Sequence, residues 1–211
     1  MAETPAVPTG PKVRVSMGAF IAFLDAPADQ RLSLVTAMAE DYSPARDPYR
    51  QIRHAIRCGR RMGKDELAMQ GVLDSCARRW KQHYQEIAEG WLRYVASCGS
   101  DTITDLPTGR WHTCDLAVKV TPDLAVRRAD GSYDAIKLYM KAEPPTSQAA
   151  GATLWLLQQA MTQCFRGARP VLLDVRRSTP HTTLPGRAGF QTWLESEAAS
   201  LAHLQQRRPA A

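Results

Sequence analysis

Residues 115–141 read DLAVKVTPDLAVRRADGSYDAIKLYMK, and the organisation of the whole chain turns on this stretch. Leu116, Val118 and Val120 recur at every second position, as do Leu124 and Val126, with Lys119, Thr121, Asp123 and Arg127 between them. A period of two is that of a half-buried strand. Pro122 has no N–H to give to a ladder, so it separates a first strand, about 114–120, from a second, about 123–128. Asp130-Gly131 signals a tight turn. A third strand, Ala135 to Lys141, places Ile136, Leu138 and Met140 on one face and Lys137, Tyr139 and Lys141 on the other.

Upstream, the period changes. Met69, Leu73, Cys76, Trp80, Tyr84, Ile87, Trp91 and Val95 fall at spacings of three and four. That predicts one long amphipathic helix over about 64–96, ended by Cys98-Gly99-Ser100, with the Trp80/Tyr84/Trp91 stripe in the core. Before it, residues 13–42 predict one or two short helices, with Asp29 as a cap. Ser43-Pro44 breaks the chain. Asp47-Pro48 then opens a helix carrying Arg50, Arg53 and Arg57 on one stripe, weakened beyond by Gly59 and Gly63.

Downstream, Glu143-Pro144-Pro145-Thr146-Ser147 leads into a helix with the stripe Ala150, Leu154, Leu157, Met161 and Cys164. Pro170 precedes a fourth strand, 171–177, and Phe190, Trp193, Leu194, Leu201 and Leu204 mark a closing helix over about 188–206. The expected division is a disordered tail (1–12), a helical segment (13–63), a core (64–180) and a C-terminal helix with its tail (181–211).

The 211 residues are 44% hydrophobic and 23% charged, which suits an ordinary globular protein. No apolar run reaches the roughly 18 residues a membrane span needs. The opening MAETPAVPTGPK has no basic leader or apolar signal segment, so no secretion is expected. Cys58, Cys76, Cys98, Cys114 and Cys164 show no framework spacing, which predicts reduced thiols in a cytoplasm and no zinc site. The net charge is +6, and between Arg46 and Arg93 eleven Lys/Arg stand against six Asp/Glu, a net of +5. Such a balance favours anionic partners, nucleic acid first.

The order helix, three strands, helix, strand between about 64 and 177 resembles the PD-(D/E)XK, or restriction-endonuclease-like, superfamily. Pro122-Asp123 at the start of the second strand and Tyr139-Met140-Lys141 in the third carry the likeness, which covers a little over half the chain. It implies an αβββαβ core with a small mixed α/β sheet of about four strands, the flanking helices added around it. It implies further that Asp123 takes the place of the aspartate that, with a motif acid, holds a divalent metal, usually magnesium. Lys141 takes the place of the lysine that positions the attacking water. Tyr139 stands where the motif acid is expected.

Tyrosine keeps its proton near pKa ~10 and is a poor magnesium ligand at neutral pH. Glu143 shares the parity of Lys141 and could lend an acid, making Asp123 and Glu143 the candidate metal ligands. Glu86 and Glu89 are expected to face solvent. The register decides which side chain meets Asp123. A two-residue turn pairs 123 with 138, and a three-residue Asp130-Gly131-Ser132 loop pairs 123 with 139; the second puts both polar faces on one side and is favoured.

The reading that follows is a catalytically degenerate nuclease-like module, without cofactor, that binds nucleic acid or a protein partner. Its binding residues are Arg50, Arg53 and Arg57, with a second patch of Lys119, Arg127, Lys137 and Lys141 on the sheet's polar face. The alternative is an active magnesium-dependent nuclease with a displaced acid, in which Asp123 and Lys141 are catalytic. Plainer roles stand beside these. Asp123 after a proline suits a residue that opens a strand and bonds backbone N–H groups. Asp174, between apolar neighbours, is expected to pair with an arginine such as Arg176.

Overall fold

The computed structural model describes residues 11, 13–38, 47–98, 102–104, 107–113, 115–128, 130–164 and 167–207. Most of the expected N-terminal tail, the Ser43-Pro44 break and the ends of the chain lie outside these. Among the described residues there are seven α-helices and two mixed sheets, of three and five strands.

Residues 115–141 are β-structure, as their period demands, but their strands serve two sheets. β4 (Leu116–Val120) lies between β1 (Val13–Ser16), parallel to it, and β3 (Gly109–His112), antiparallel. β5 (Leu124–Arg127) lies between β2 (Thr102–Thr104) and β6 (Tyr133–Tyr139), antiparallel to both. β7 (Ala168–Asp174) joins β6 in parallel, and β8 (Thr179–His181) closes that sheet. Pro122 is thus the point where the chain passes from one sheet to the other, and the expected single sheet of about four strands is two sheets. The short strands β1, β2, β3 and β8 have three or four residues each, too few to announce a period.

β7 also starts three residues earlier than expected and takes in Pro170. β8 pairs only with residues 172–174, so at Pro170 the strand has β6 alone as a neighbour and an absent N–H is tolerated.

The expected 64–96 helix is broken. α4 (Asp65–Ser75) ends at Cys76, whose N–H caps the Val72 carbonyl, and after a 3₁₀ turn at Arg78–Trp80 α5 (Lys81–Cys98) sets off anew. Cys76 and Ala77 are both extended, with ψ of 150° and 143°. A tertiary bond explains the break. The Trp91 indole N–H donates to Asp65 Oδ1 at 3.0 Å across 26 residues. One straight helix would hold those residues about 39 Å apart.

α3 (Arg50–Met62) packs on α4 and ends at Gly63, a left-handed C-cap with φ 63°. The helix runs past Arg57 because Gly59 is its contact point. A Cβ there would lie 2.7 Å from that of Ala68. Asp47 and Pro48 do not open the helix as expected: the N-cap is Tyr49, which has no side-chain cap bond, and Asp47 Oδ1 accepts the Tyr49 N–H at 3.0 Å in the turn before it.

Helices α3, α4 and α5 cover one face of the five-stranded sheet through Ile52, Ile56, Met69, Tyr84, Ile87 and Trp91, which meet Leu124, Ile136, Leu138 and Leu173. α6 (Ser147–Cys164) covers the other and is buried nearly all round. Its far side, with Trp155, Leu156 and Ala160, packs against the three-stranded sheet, α1 (Met17–Asp25) and α7 (Arg187–Gln206). α2 (Arg31–Met38) adds to this layer through Val35 and an ion pair from Arg31 to Glu197. α6 and α7 run where their stripes place them. No helix among the described residues is long and apolar enough to cross a membrane.

Candidate functional site

The β5–β6 hairpin is built on a register that the turn dictates. The Arg128 N–H donates to the Ser132 carbonyl at 2.9 Å, leaving three residues in the loop, with Gly131 at φ 82°. Asp130 holds the turn by accepting from the Ser132 hydroxyl and N–H at 2.6 and 2.9 Å. Those two hydrogen bonds keep its carboxyl below the usual carboxylate range. Leu124 pairs with Ile136, so position 123 falls opposite 137, neither 138 nor 139. The expected loop of Asp130-Gly131-Ser132 is one residue too late, and that slip shifts the partner by two.

Asp123 therefore meets Lys137. Its Oδ2 lies 3.0 Å from Lys137 Nζ and accepts the Leu138 N–H at 2.9 Å, and its Oδ1 lies 3.5 Å from Arg53 Nε. The side chain is 8% exposed. The carboxylate ends the β5–β6 ladder by accepting the Leu138 N–H just beyond the last strand pair, Leu124 with Ile136, which is the plainer of its two expected roles. Lys137 Nζ also donates to the Thr121 carbonyl at 3.3 Å. Arg53 continues the chain of charges to Asp47 Oδ2 at 2.7 Å. Carboxylate, guanidinium, carboxylate and ammonium alternate from the start of α3 to the middle of β6.

Tyr139 occupies a different place. In the register it pairs with Asp174 on β7, and its ring packs with Ala150, Leu154 and Leu172 against α6. Burial, reinforced by the carboxylates of Asp25 and Asp174, pushes its phenol further above its ordinary value. Its proton is therefore held more firmly than that of an ordinary tyrosine. Lys141 and Glu143 are exposed in the loop beyond β6, and among the described residues the Asp123 carboxylate meets Lys137, Arg53 and the Leu138 N–H rather than either of them.

A magnesium ion of the kind the family likeness implies does not fit these side chains. A hard cation wants several oxygen ligands at 2.0–2.1 Å, whereas the one carboxylate here is already met by an ammonium and a guanidinium. Among the described residues no three His, Cys, Asp or Glu side chains are grouped as a metal site needs.

The other expected contributors divide. Asp174 is 1% exposed and pairs with Arg177 at 2.9 Å, not with Arg176. Arg176 instead donates to the Met140 carbonyl at 2.8 Å, contacts His83 Nδ1 at 3.3 Å and pairs with Glu86. Glu86 is exposed, as expected, and from there it also reaches the buried Arg176. Glu89 is exposed and accepts from Gln85.

The second basic patch is dispersed. Lys119 is in the three-stranded sheet, opposite Arg110, while Arg127 lies at the far end of β5, paired with Tyr133. Lys137 is engaged with Asp123. On α3 the stripe also splits. Arg53 turns inward, whereas Arg50 and Arg57 are exposed with His54 and Arg61. Lys137 and Arg53 each meet an acid, Asp123, and Arg53 meets Asp47 as well. The composition of the polar face was visible, but which acid stood opposite which base depended on one residue of loop length.

Asp134 was not singled out, although it is the most enclosed acid of the hairpin. It is 1% exposed and receives Arg169 Nε at 2.9 Å and Nη2 at 3.0 Å, with Arg128 Nε at 2.8 Å. Burial works against its ionisation, but the Arg169 and Arg128 hydrogen bonds outweigh it, and the carboxyl lies below its ordinary value. An Asp flanked by apolar residues in a strand was the available signal, and it calls for a buried ion pair. Compared with known proteins, the chain matches no family model and no curated protein.

Proposed function

We propose that this chain is a catalytically degenerate, nuclease-like module that binds nucleic acid through the solvent face of α3. The observation that carries the reading is the division of labour on that helix. Arg50, His54, Arg57 and Arg61, spaced four, three and four residues apart, form one exposed line about 16 Å long. Ile52, Ile56 and Gly59 are buried on the opposite side. Arg53, the one cation of the stripe that turns inward, anchors the helix start to Asp47 and Asp123.

A rigid helix face of guanidinium groups is suited to phosphate oxygens. The same anchoring takes up the carboxylate that hydrolysis would require, so the site supports binding without cleavage. Phosphate contact is sequence-tolerant and strongly salt-dependent.

The test is a salt titration of Arg50→Ala/Arg57→Ala against the parent. The logarithmic salt slope should fall by about 1.8 on duplex DNA and about 1.4 on a single strand, two contacts in each case. The thermal midpoint should stay within about 1 °C, because exposed substitutions cost little. Arg53→Ala should do the reverse, lowering stability while leaving most of the slope. Unchanged slope and affinity on both duplex DNA and single-stranded RNA would overturn the reading and put a protein partner in its place.

A further inference from the structure

We propose that the Lys137 ammonium is a resident replacement for a divalent cation, and that one change of charge turns the hairpin into a metal site. This rests on the degenerate-hairpin reading. Two oxygens converge on Nζ, Asp123 Oδ2 at 3.0 Å and the Thr121 carbonyl at 3.3 Å. A carboxylate oxygen and a backbone carbonyl are ligands that a hard cation accepts. The place is built for positive charge, and the chain fills it from within.

The carboxylates of Asp47 and Asp123 already meet the cations of Arg53 and Lys137 at 2.7 to 3.5 Å, which works against an added ion. Lys137→Glu leaves three carboxylates facing one guanidinium. The charge of the group falls by two units, and position 137 lies directly opposite Asp123 in the register. Directly opposed side chains have Cβ atoms about 4.5–5.5 Å apart, a span over which two carboxylates can share one ion. Tyr139 needs no change, because it packs toward α6 and takes no part.

The experiment uses the full chain and manganese(II), whose paramagnetism broadens nearby amide signals. Calorimetry and amide spectra are recorded on the parent, Lys137→Gln and Lys137→Glu. The parent is expected to show no saturable binding at millimolar manganese and no selective broadening. Lys137→Glu is expected to bind at least tenfold more tightly than Lys137→Gln, with broadening centred on 123 and 136–138, and Asp123→Asn in that background should abolish it.

If the unpaired carboxylates leave Lys137→Glu unfolded, manganese should restore its fold and the Lys137→Gln spectrum should still show weak broadening at the same amides. The proposal is overturned if the parent broadens at 123 and 137 as strongly as the variants. It is equally overturned if Lys137→Glu binds no better than Lys137→Gln and is not refolded by the metal. No nucleic acid is present, so either result stands apart from the salt titration of α3.

Discussion

Gly90→Ala is expected to destabilise the protein by about 2 kcal/mol, although alanine is the better helix former. Gly90 lies inside α5 where the helix crosses the end of β7. A Cβ there would fall within the envelope of the Val175 carbonyl oxygen and 2.8 Å from that of Arg176. Both obstacles are backbone, so neither can swing aside, and the cost belongs near the upper end of overpacking, about 3 kcal/mol. Helix propensity returns about 1 kcal/mol. The clash wins, and a thermal melt followed by circular dichroism should show a midpoint lower by about 6 °C.

Gly71→Ala supplies the contrast. It is exposed within α4 with nothing near its missing Cβ, so the same substitution should stabilise by about 0.5–1 kcal/mol. If both variants moved in the same direction, α5 would not seat on Val175 as described.

Arg128→Ala/Arg169→Ala is expected to cost about 3 kcal/mol near pH 7, because it leaves the Asp134 carboxylate buried without a cation. That figure is the low end for a broken buried pair, since the arginines are 39% and 50% exposed and solvent already screens them. Asp134→Asn should cost less, because the two guanidinium groups it releases can turn to water.

The pH dependence follows from the direction of the shift. The folded-state carboxyl of Asp134 is depressed, so its contribution is complete above the unfolded value, about 3.9, and is lost as the pH falls through the folded one. In the double variant burial acts unopposed and the carboxyl rises instead. The gap in unfolding free energy between parent and variant should therefore be widest near neutrality and close as the medium is acidified toward pH 3. A gap independent of pH would mean that the arginines stabilise the fold through packing alone.

Strand and helix periods in the chain settle the existence of β4 to β7, α6 and α7, and the turn at Asp130-Gly131, since each depends on neighbours within a few residues. They also place Tyr84, Trp91, Leu154 and Ile136 in the core, because an apolar stripe has nowhere else to go. Tertiary structure alone decides the rest. The bond from Trp91 to Asp65 folds one apparent helix into two, and no local signal competes with a contact 26 residues away. The split of β4 and β5 between two sheets depends on β1 and β2, strands too short to show a period.

Most of all, the partner of Asp123 is chosen by loop length. Side chains alternate along β6, so the polar face of Lys137, Tyr139 and Lys141 is legible at once, but which of them stands opposite the carboxylate changes by two positions when the loop moves by one. The residue types at the site are written in the chain. Whether they meet as an acid and a metal or as an acid and a lysine is a matter of register, and register is a property of the paired strands together.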